Sequence, residues 1–256
     1  MKEMKLWAML LLCSMLMFAC SKDDVDPERP DVSDTAKLAG TNWVPARVKK
    51  VSDYVYLDEK YNVVYVVNLP APDVGKGASE GHRPLGFNFD THSVILGDNH
   101  NLNTDAKYRW ASTATWHFYM DDMYNSSVHT NATTDDWLAG EGKIRVVATP
   151  FDDLKEAPED AMVRSVIPVS LDETSAILSW GFYRLGTHAL YPFKTNTMIL
   201  KLRDNRFVKM QLINLYKDNP GTPPWWEDPN SKNLAPFLNF RYFIQQTPGS
   251  RNITTN

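Results

Sequence analysis

Thiols are nearly missing from this chain: of its 256 residues only Cys13 and Cys20 are cysteines. Cys13 lies inside an apolar run over residues 6–17 that follows Lys2 and Lys5. That run is shorter than the ~20 residues a membrane-crossing helix needs, and acidic residues follow it, which is the layout of a cleaved signal peptide. On this reading residues 1–19 are removed and the remaining chain keeps Cys20 alone, so no disulfide forms. The fold must then stand on its own core, and a chain of this size can bury enough surface to do so. A body without thiols also excludes cysteine nucleophiles, Cys-rich zinc sites and the C-x-x-C-H attachment of covalent haem.

Other absences narrow the function. No run of basic residues is longer than Lys49-Lys50, and 31 acidic against 27 basic residues leave a formal charge of −4. Nucleic acid is therefore not an expected partner. There is no H-E-x-x-H, no G-x-S-x-G elbow, no phosphate-cradling glycine loop and no dinucleotide fingerprint. The carboxylates of "FDDLKEAPED" (residues 151–160) read as a solvated, proline-bordered loop, because paired acid and base groups need a cleft that holds them apart across a substrate. The chain is expected to be a binding protein and not an enzyme. No window sustains a helical stripe with caps.

What is present starts at Cys20. The sequence "MFAC" (residues 17–20) resembles a bacterial lipobox, in which the cysteine after the cut receives acyl chains. Each buried methylene contributes ~0.8 kcal/mol, so several chains hold a domain at a membrane without a spanning helix. Ser21, Lys22, Asp23 and Asp24 resemble the acidic tetrapeptide that follows the lipidated cysteine in surface-exposed lipoproteins of certain Gram-negative anaerobes. A lipid-anchored, surface-exposed outer-membrane location is expected. Residues 20–36, rich in Asp, Pro and Ser, read as a solvated tether, within which Asp34-Thr35-Ala36 resembles a short O-glycosylation signal of the same bacteria. Residues 37–256 are expected to form one domain.

In that domain apolar residues recur at period two in short runs bounded by Gly, Pro, Asn and Asp, the pattern of strands packed on one face. Examples are "VVYVVNL" (63–69), "TWHFYM" (115–120), "KIRVVA" (143–148) and "TMILKLR" (197–203). In "TWHFYM", Trp116, Phe118 and Met120 are expected on one face, His117 and Tyr119 on the other. Two alternating runs meet at Asp204-Asn205, a pair suited to a tight hairpin turn. Met198, Leu200 and Leu202 should point inward from one arm, Val208, Met210 and Leu212 from the other. A last strand is expected in "FLNFRYFIQ" (237–245). The expected fold is all-β, an antiparallel β-sandwich with long loops.

Five segments taken in order, "STATWHFYMDDMYNSSVHTN" (112–131), "FDDLKEAPED" (151–160), "WGFYRLGTHALYPF" (180–193), "MILKLRDNRFVKMQLINLYK" (198–217) and "FRYFIQQTPGSRNI" (240–253), resemble the HmuY-like lipoproteins. That resemblance implies an all-β surface protein that holds haem non-covalently, with the iron ligated axially by two side chains, and that passes it to a TonB-dependent outer-membrane transporter. One ligand comes from the segment after the acidic loop and one from the hairpin after the tryptophan. Here those regions offer Met162 in "EDAMVRS" and His188 in "LGTHALY". Thioether and imidazole each ligate haem iron, and the mixed pair tends to raise its potential.

Further ligand candidates are His129 in the polar stretch "SSVHTNATTDD", expected as a loop, and Met123 in "MDDMYN". Met120, sharing a face with Phe118, reads as core. His82, His92 and His100 are scattered among loop residues without metal-ligand spacing. Trp225 and Trp226 of "PPWWED" lie in a long connection of the kind that often carries function and suit stacking on a porphyrin or a sugar ring. The alternative to haem is a glycan- or protein-binding sandwich that has lost the haem site.

Overall fold

The computed structural model describes residues 43–77, 82–96, 116–130, 142–159, 166–174, 179–220 and 234–255. All of these belong to the compact unit Asp34–Asn256. Cys20 with its expected leader and tether, His100, Met162, Trp225 and Trp226 lie outside the described residues. In chain order the strands are β1 (Lys49–Lys50), β2 (Val55–Asp58), β3 (Val63–Pro70), β4 (Leu85–Phe87), β5 (Val94–Leu96), β6 (Phe118–Asp121) and β7 (Ser127–Thr130). They continue as β8 (Lys143–Val147), β9 (Val166–Ile167), β10 (Gly181–Arg184), β11 (Ala189–Pro192), β12 (Thr197–Lys201), β13 (Phe207–Asn214) and β14 (Phe237–Ile244). No α-helix occurs among the described residues.

The strands form a seven-stranded sheet in the order β1-β2-β3-β14-β13-β12-β8, a five-stranded sheet in the order β5-β4-β6-β7-β9, and the separate hairpin β10-β11. Each of these pairings is antiparallel. The β12–β13 hairpin follows the alternation of its sequence. Met198 lies opposite Met210 and Leu200 opposite Val208, and all six of the residues expected inward enter the main core. Asn205 turns the chain at φ 67°, a conformation that asparagine tolerates better than most residues.

The two larger sheets face each other across aromatic side chains. Phe87 of β4 meets Phe240 of β14 edge-on, with ring centroids 5.2 Å apart, and Phe118 of β6 meets the same ring at 5.7 Å. Both rings of these pairs are fully buried, and each side chain so buried contributes about 1.5–3 kcal/mol. The sandwich expected from the sequence is present.

The outer face of the seven-stranded sheet is covered as well. Val44 and Phe151 pack there with Val63, Tyr65 and Val67 of β3, and Ala157 and Ile253 pack with Ile199 and Phe207. This explains why β13 is buried on both faces, including Lys209 at 0% exposure. It also corrects the reading of residues 151–160 as a simple solvated loop. Phe151 and Ala157 are wholly buried, Lys209 Nζ sits 4.5 Å above the Phe151 ring, and Asp152 accepts two hydrogen bonds from Arg241. Only part of the charge run faces water, because its apolar members serve as a lid.

A second correction concerns "TWHFYM". The ladder begins at Phe118, opposite Phe87, so Trp116 and His117 precede it and escape the strict alternation. Trp116 meets the Tyr119 ring edge-on at 5.0 Å, and His117 stacks on Phe89 at 5.7 Å. Phe118 and Met120 occupy the main core as expected, and Trp116 is not part of it.

Candidate functional site

The hairpin β10–β11 carries the histidine singled out by the sequence. Its base is pinned by Trp180, whose Nε1 donates to the Ser126 carbonyl at 2.6 Å, and by Phe193 N donating to the Trp180 carbonyl at 2.9 Å. Gly181 stands opposite Pro192, and a Cβ there would run into the Tyr191 carbonyl. Cross-strand neighbours Phe182 and Tyr191 stack with centroids 5.2 Å apart. The Arg184 guanidinium lies 4.5 Å from the Tyr191 ring centroid, held by two hydrogen bonds to Glu173 at 2.7 and 2.8 Å. These contacts make one face of the hairpin a stacked ladder of rings.

The opposite face holds Tyr183 and Leu190, both in the main core. Leu190 N donates to the Tyr216 hydroxyl at 2.8 Å, and burial pushes that phenol well above its ordinary range. At the turn the chain reverses through His188 at φ 50°, which leaves this residue exposed. Tyr183 Oη and His188 Nδ1 are 2.7 Å apart, with the two rings edge-on at 74°. Burial also pushes the Tyr183 phenol up, so it carries its proton at neutral pH. Beside His188 the Thr187 hydroxyl is buried and finds no hydrogen-bond partner among the described residues.

Apolar surface surrounds this turn. Leu185 is 64% exposed and Leu171 67%. Leu171 comes alongside because Ser170 bridges to Phe182 in parallel, with Tyr183 N donating to the Ser170 carbonyl at 2.8 Å. Leu185 is thus exposed in the same turn as His188, and Leu171 is exposed alongside β10.

The other candidates have different surroundings. His129 lies in strand β7 and not in a loop, which corrects that expectation. It is 7% exposed, with Nε2 2.6 Å from Asp121 Oδ1 and its ring stacked on Tyr119 at 4.3 Å. Strand pairing of Tyr119 with His129 brings the two rings together. Met123 belongs to a short 3-10 turn, Met123–Asn125, and packs half-buried on the main core. The turn carries positive φ at Asp122, Tyr124 and Asn125. His82 Nδ1 accepts from Tyr124 N at 3.2 Å, and His92 Nδ1 lies 2.6 Å from the Tyr242 hydroxyl. Among the described residues no three His, Cys, Asp or Glu side chains form a group that could hold a metal ion. Tyr183 was not singled out by the sequence, although its place five residues before His188 in a hairpin was the signal available.

Comparison with protein-family models and with curated proteins finds no match. Solved structures similar to this chain include a Bacteroides fragilis protein described as a lipoprotein, at 11% identity and TM-score 0.40, covering 78% of this chain and 100% of that one. A Bacteroides vulgatus protein described as HmuY-like and heme-binding is 14% identical at TM-score 0.40, with 77% and 94% covered. The apo HmuY analog of Tannerella forsythia is 12% identical at TM-score 0.41, with 74% and 100% covered. The sheets described above rest on this chain's own strand pairing.

Proposed function

We propose that the protein binds haem non-covalently at the turn of the β10–β11 hairpin, and that it does so as a lipid-anchored surface protein serving haem acquisition rather than catalysis. The observation that carries this reading is the Tyr183–His188 pair, in which the phenol of a core residue on β10 meets the exposed imidazole of the turn. Leu171 and Leu185 supply apolar surface for a porphyrin face. The chain's polar groups would meet the iron and its apolar ones the macrocycle, while the haem supplies the coordination chemistry. The resemblance of the five sequence segments to HmuY-like lipoproteins supports the same ligand. Anchoring through Cys20 and delivery to a TonB-dependent transporter belong to this proposal.

Titration of the protein with ferric haem tests it. A saturable Soret shift at one haem per chain, weakened in His188→Ala, is the expected outcome. Absence of any spectral change at micromolar protein overturns the reading. Binding to a glycan array in that case would select the alternative of a glycan-binding sandwich.

A further inference from the structure

The connection between β4 and β5, residues 88–93, is folded on itself. Asn88 Oδ1 accepts from the amides of Asp90 and Thr91 at 2.9 and 3.0 Å, and Asn88 N donates to the Ser93 carbonyl at 3.0 Å. The Phe89 amide ties this unit to the sandwich by donating to His117 Nδ1 at 3.0 Å. The Tyr242 hydroxyl donates to the Phe89 carbonyl at 3.0 Å and accepts from His92 Nδ1 at 2.6 Å. Asp90 meets both terminal nitrogens of Arg206 at 2.7 Å. These ties differ in their response to acid. His92 Nδ1 donates in the neutral ring and in the imidazolium alike, so its bond survives protonation. Arg206 holds the Asp90 carboxyl below its ordinary range, which keeps it ionised in mild acid. His117 is the exception. Its Nδ1 accepts the Phe89 amide only while unprotonated, so the neutral ring carries its proton on Nε2, which faces Asp90 at 3.8 Å. A second proton has only Nδ1 to go to, and there it meets the Phe89 N–H head-on.

We propose that residues 88–93 are a proton-operated latch, in which protonation of His117 Nδ1 breaks the bond from the Phe89 amide and lets the connection swing off the sandwich. The β5 edge of the five-stranded sheet then opens in mild acid while the seven-stranded sheet stays paired. The latch is independent of haem. Solvent supplies the proton, and the amide exchanges its bond to the ring for one to water. Staying closed would strand the amide of Phe89, a residue 1% exposed, at the cost of desolvating a donor that has lost its acceptor. Burial holds the His117 ring below its ordinary value; Asp90 pulls the other way, Arg206 adds to the lowering and Asp204 opposes it. His92, on the connection itself, is also lowered by burial against the pull of Asp90. Opening hydrates both rings, so both protons drive it. The element that moves is weakly held. β5 has three residues and among the described residues pairs with β4 alone, whereas β13 is paired on both sides and buried on both faces. Opening uncovers the Phe89 ring, which in the closed form lies 5.1 Å from Phe118 and 4.7 Å from Tyr242.

Amide hydrogen exchange of the full chain, followed by NMR with each rate divided by its intrinsic rate at the same pH, tests the latch. Both histidines bind protons less well closed than open. The latch is therefore whole above about 6.5 and weakens as pH falls below it, by at most about tenfold per pH unit for each histidine. Between about pH 7.5 and about pH 5 the protection of the Phe89 and Asn88 amides should fall about tenfold or more, the scale of one lost hydrogen bond. The Val208 and Met210 amides of β13 should keep theirs. His117→Gln, whose side-chain oxygen accepts from the Phe89 amide at any pH, should hold the Phe89 protection constant; an equal fall in this variant overturns the latch. A second measurement needs no variant. Nitrogen NMR of the wild-type imidazole should show His117 Nδ1 bare and Nε2 protonated at neutral pH, with the fall in protection following the titration of the ring. A ring that titrates while Phe89 protection stays flat overturns the proposal, as does a proton on Nδ1 at neutral pH. Protection lost at Phe89 and β13 together is global unfolding and overturns it too.

Discussion

His117 and His188 each turn Nδ1 toward one neighbour, and the neighbours differ in kind. At His117 the Phe89 amide donates to Nδ1 at 3.0 Å, and the ring stacks on Phe89. Its Nε2 faces Asp90 at 3.8 Å, whose carboxylate is gripped by both terminal nitrogens of Arg206. Nearby, the Tyr242 hydroxyl donates to the Phe89 carbonyl at 3.0 Å, so it accepts from His92 Nδ1. Every polar position here holds the β4–β5 connection onto β14 and the β12–β13 turn. At His188 the partner is the phenol of Tyr183, a buried residue of β10, and the histidine itself is exposed at the turn. The His117 ring is fixed within the scaffold by a backbone amide, whereas the His188 ring is exposed at a turn.

That contrast can be broken at several points. The largest effect is expected at the scaffold end. Phe89→Ala removes a ring that is 1% exposed and touches His117, Phe118 and Tyr242. It should cost about 3–5 kcal/mol in urea unfolding without changing the haem spectrum of the folded protein. At the hairpin, Gly181→Ala drives a Cβ into the Tyr191 carbonyl. It should cost about 1–3 kcal/mol and also weaken haem binding, since the strand that carries Tyr183 shifts. Equal loss of haem affinity in both variants would erase the distinction between the two regions.

Two titrations sharpen it further. Lys209 is pushed down from its ordinary 10.5 to about 7, burial being the main cause, with Arg241 and Lys155 adding to it and Asp152 opposing. A lysine that binds its proton less tightly folded than unfolded destabilises the fold most below the folded value. Thermal stability should therefore rise from pH 7 toward 10.5, and Lys209→Met should flatten that rise. His117 and His92 are both lowered by burial, against the opposing pull of Asp90. Arg206 adds to the lowering at His117, and Asp204 opposes it. Their folded forms bind fewer protons, so the stability they contribute is whole above the unfolded value of about 6.5 and is lost as pH falls below it. The loss is at most about 1.4 kcal/mol per pH unit for each histidine. His117→Gln should reduce the acid slope of the urea midpoint and leave the hairpin's haem spectrum unchanged.

Much of the sandwich was legible because strand periodicity is a local property. The alternation of residues 197–203 and 207–214 named the inward side chains before any pairing was known, and Asp204-Asn205 marked the turn. The misreadings have a common cause. Trp116 and His117 continued an alternating run past the point where the ladder starts, and only the partner strand decides where a ladder starts. The run at 151–160 looked solvated because its acids outnumber its apolar residues, while the burial of Phe151 depends on Lys209, Arg241 and β3, all distant in sequence. Tyr183 was passed over because the five-residue spacing to His188 in "FYRLGTHAL" becomes a contact only once the strand register of the hairpin is known.

The sequence by itself determined the class of fold and the inward faces of the long strands, since these depend on side-chain alternation and turn residues within a few positions of one another. Only the tertiary structure decided what covers the outer sheet face, which histidines are tied to the scaffold, and which phenol stands beside His188. Those outcomes depend on contacts between segments far apart along the chain, and on hydrogen-bond directions that no spacing in the sequence encodes.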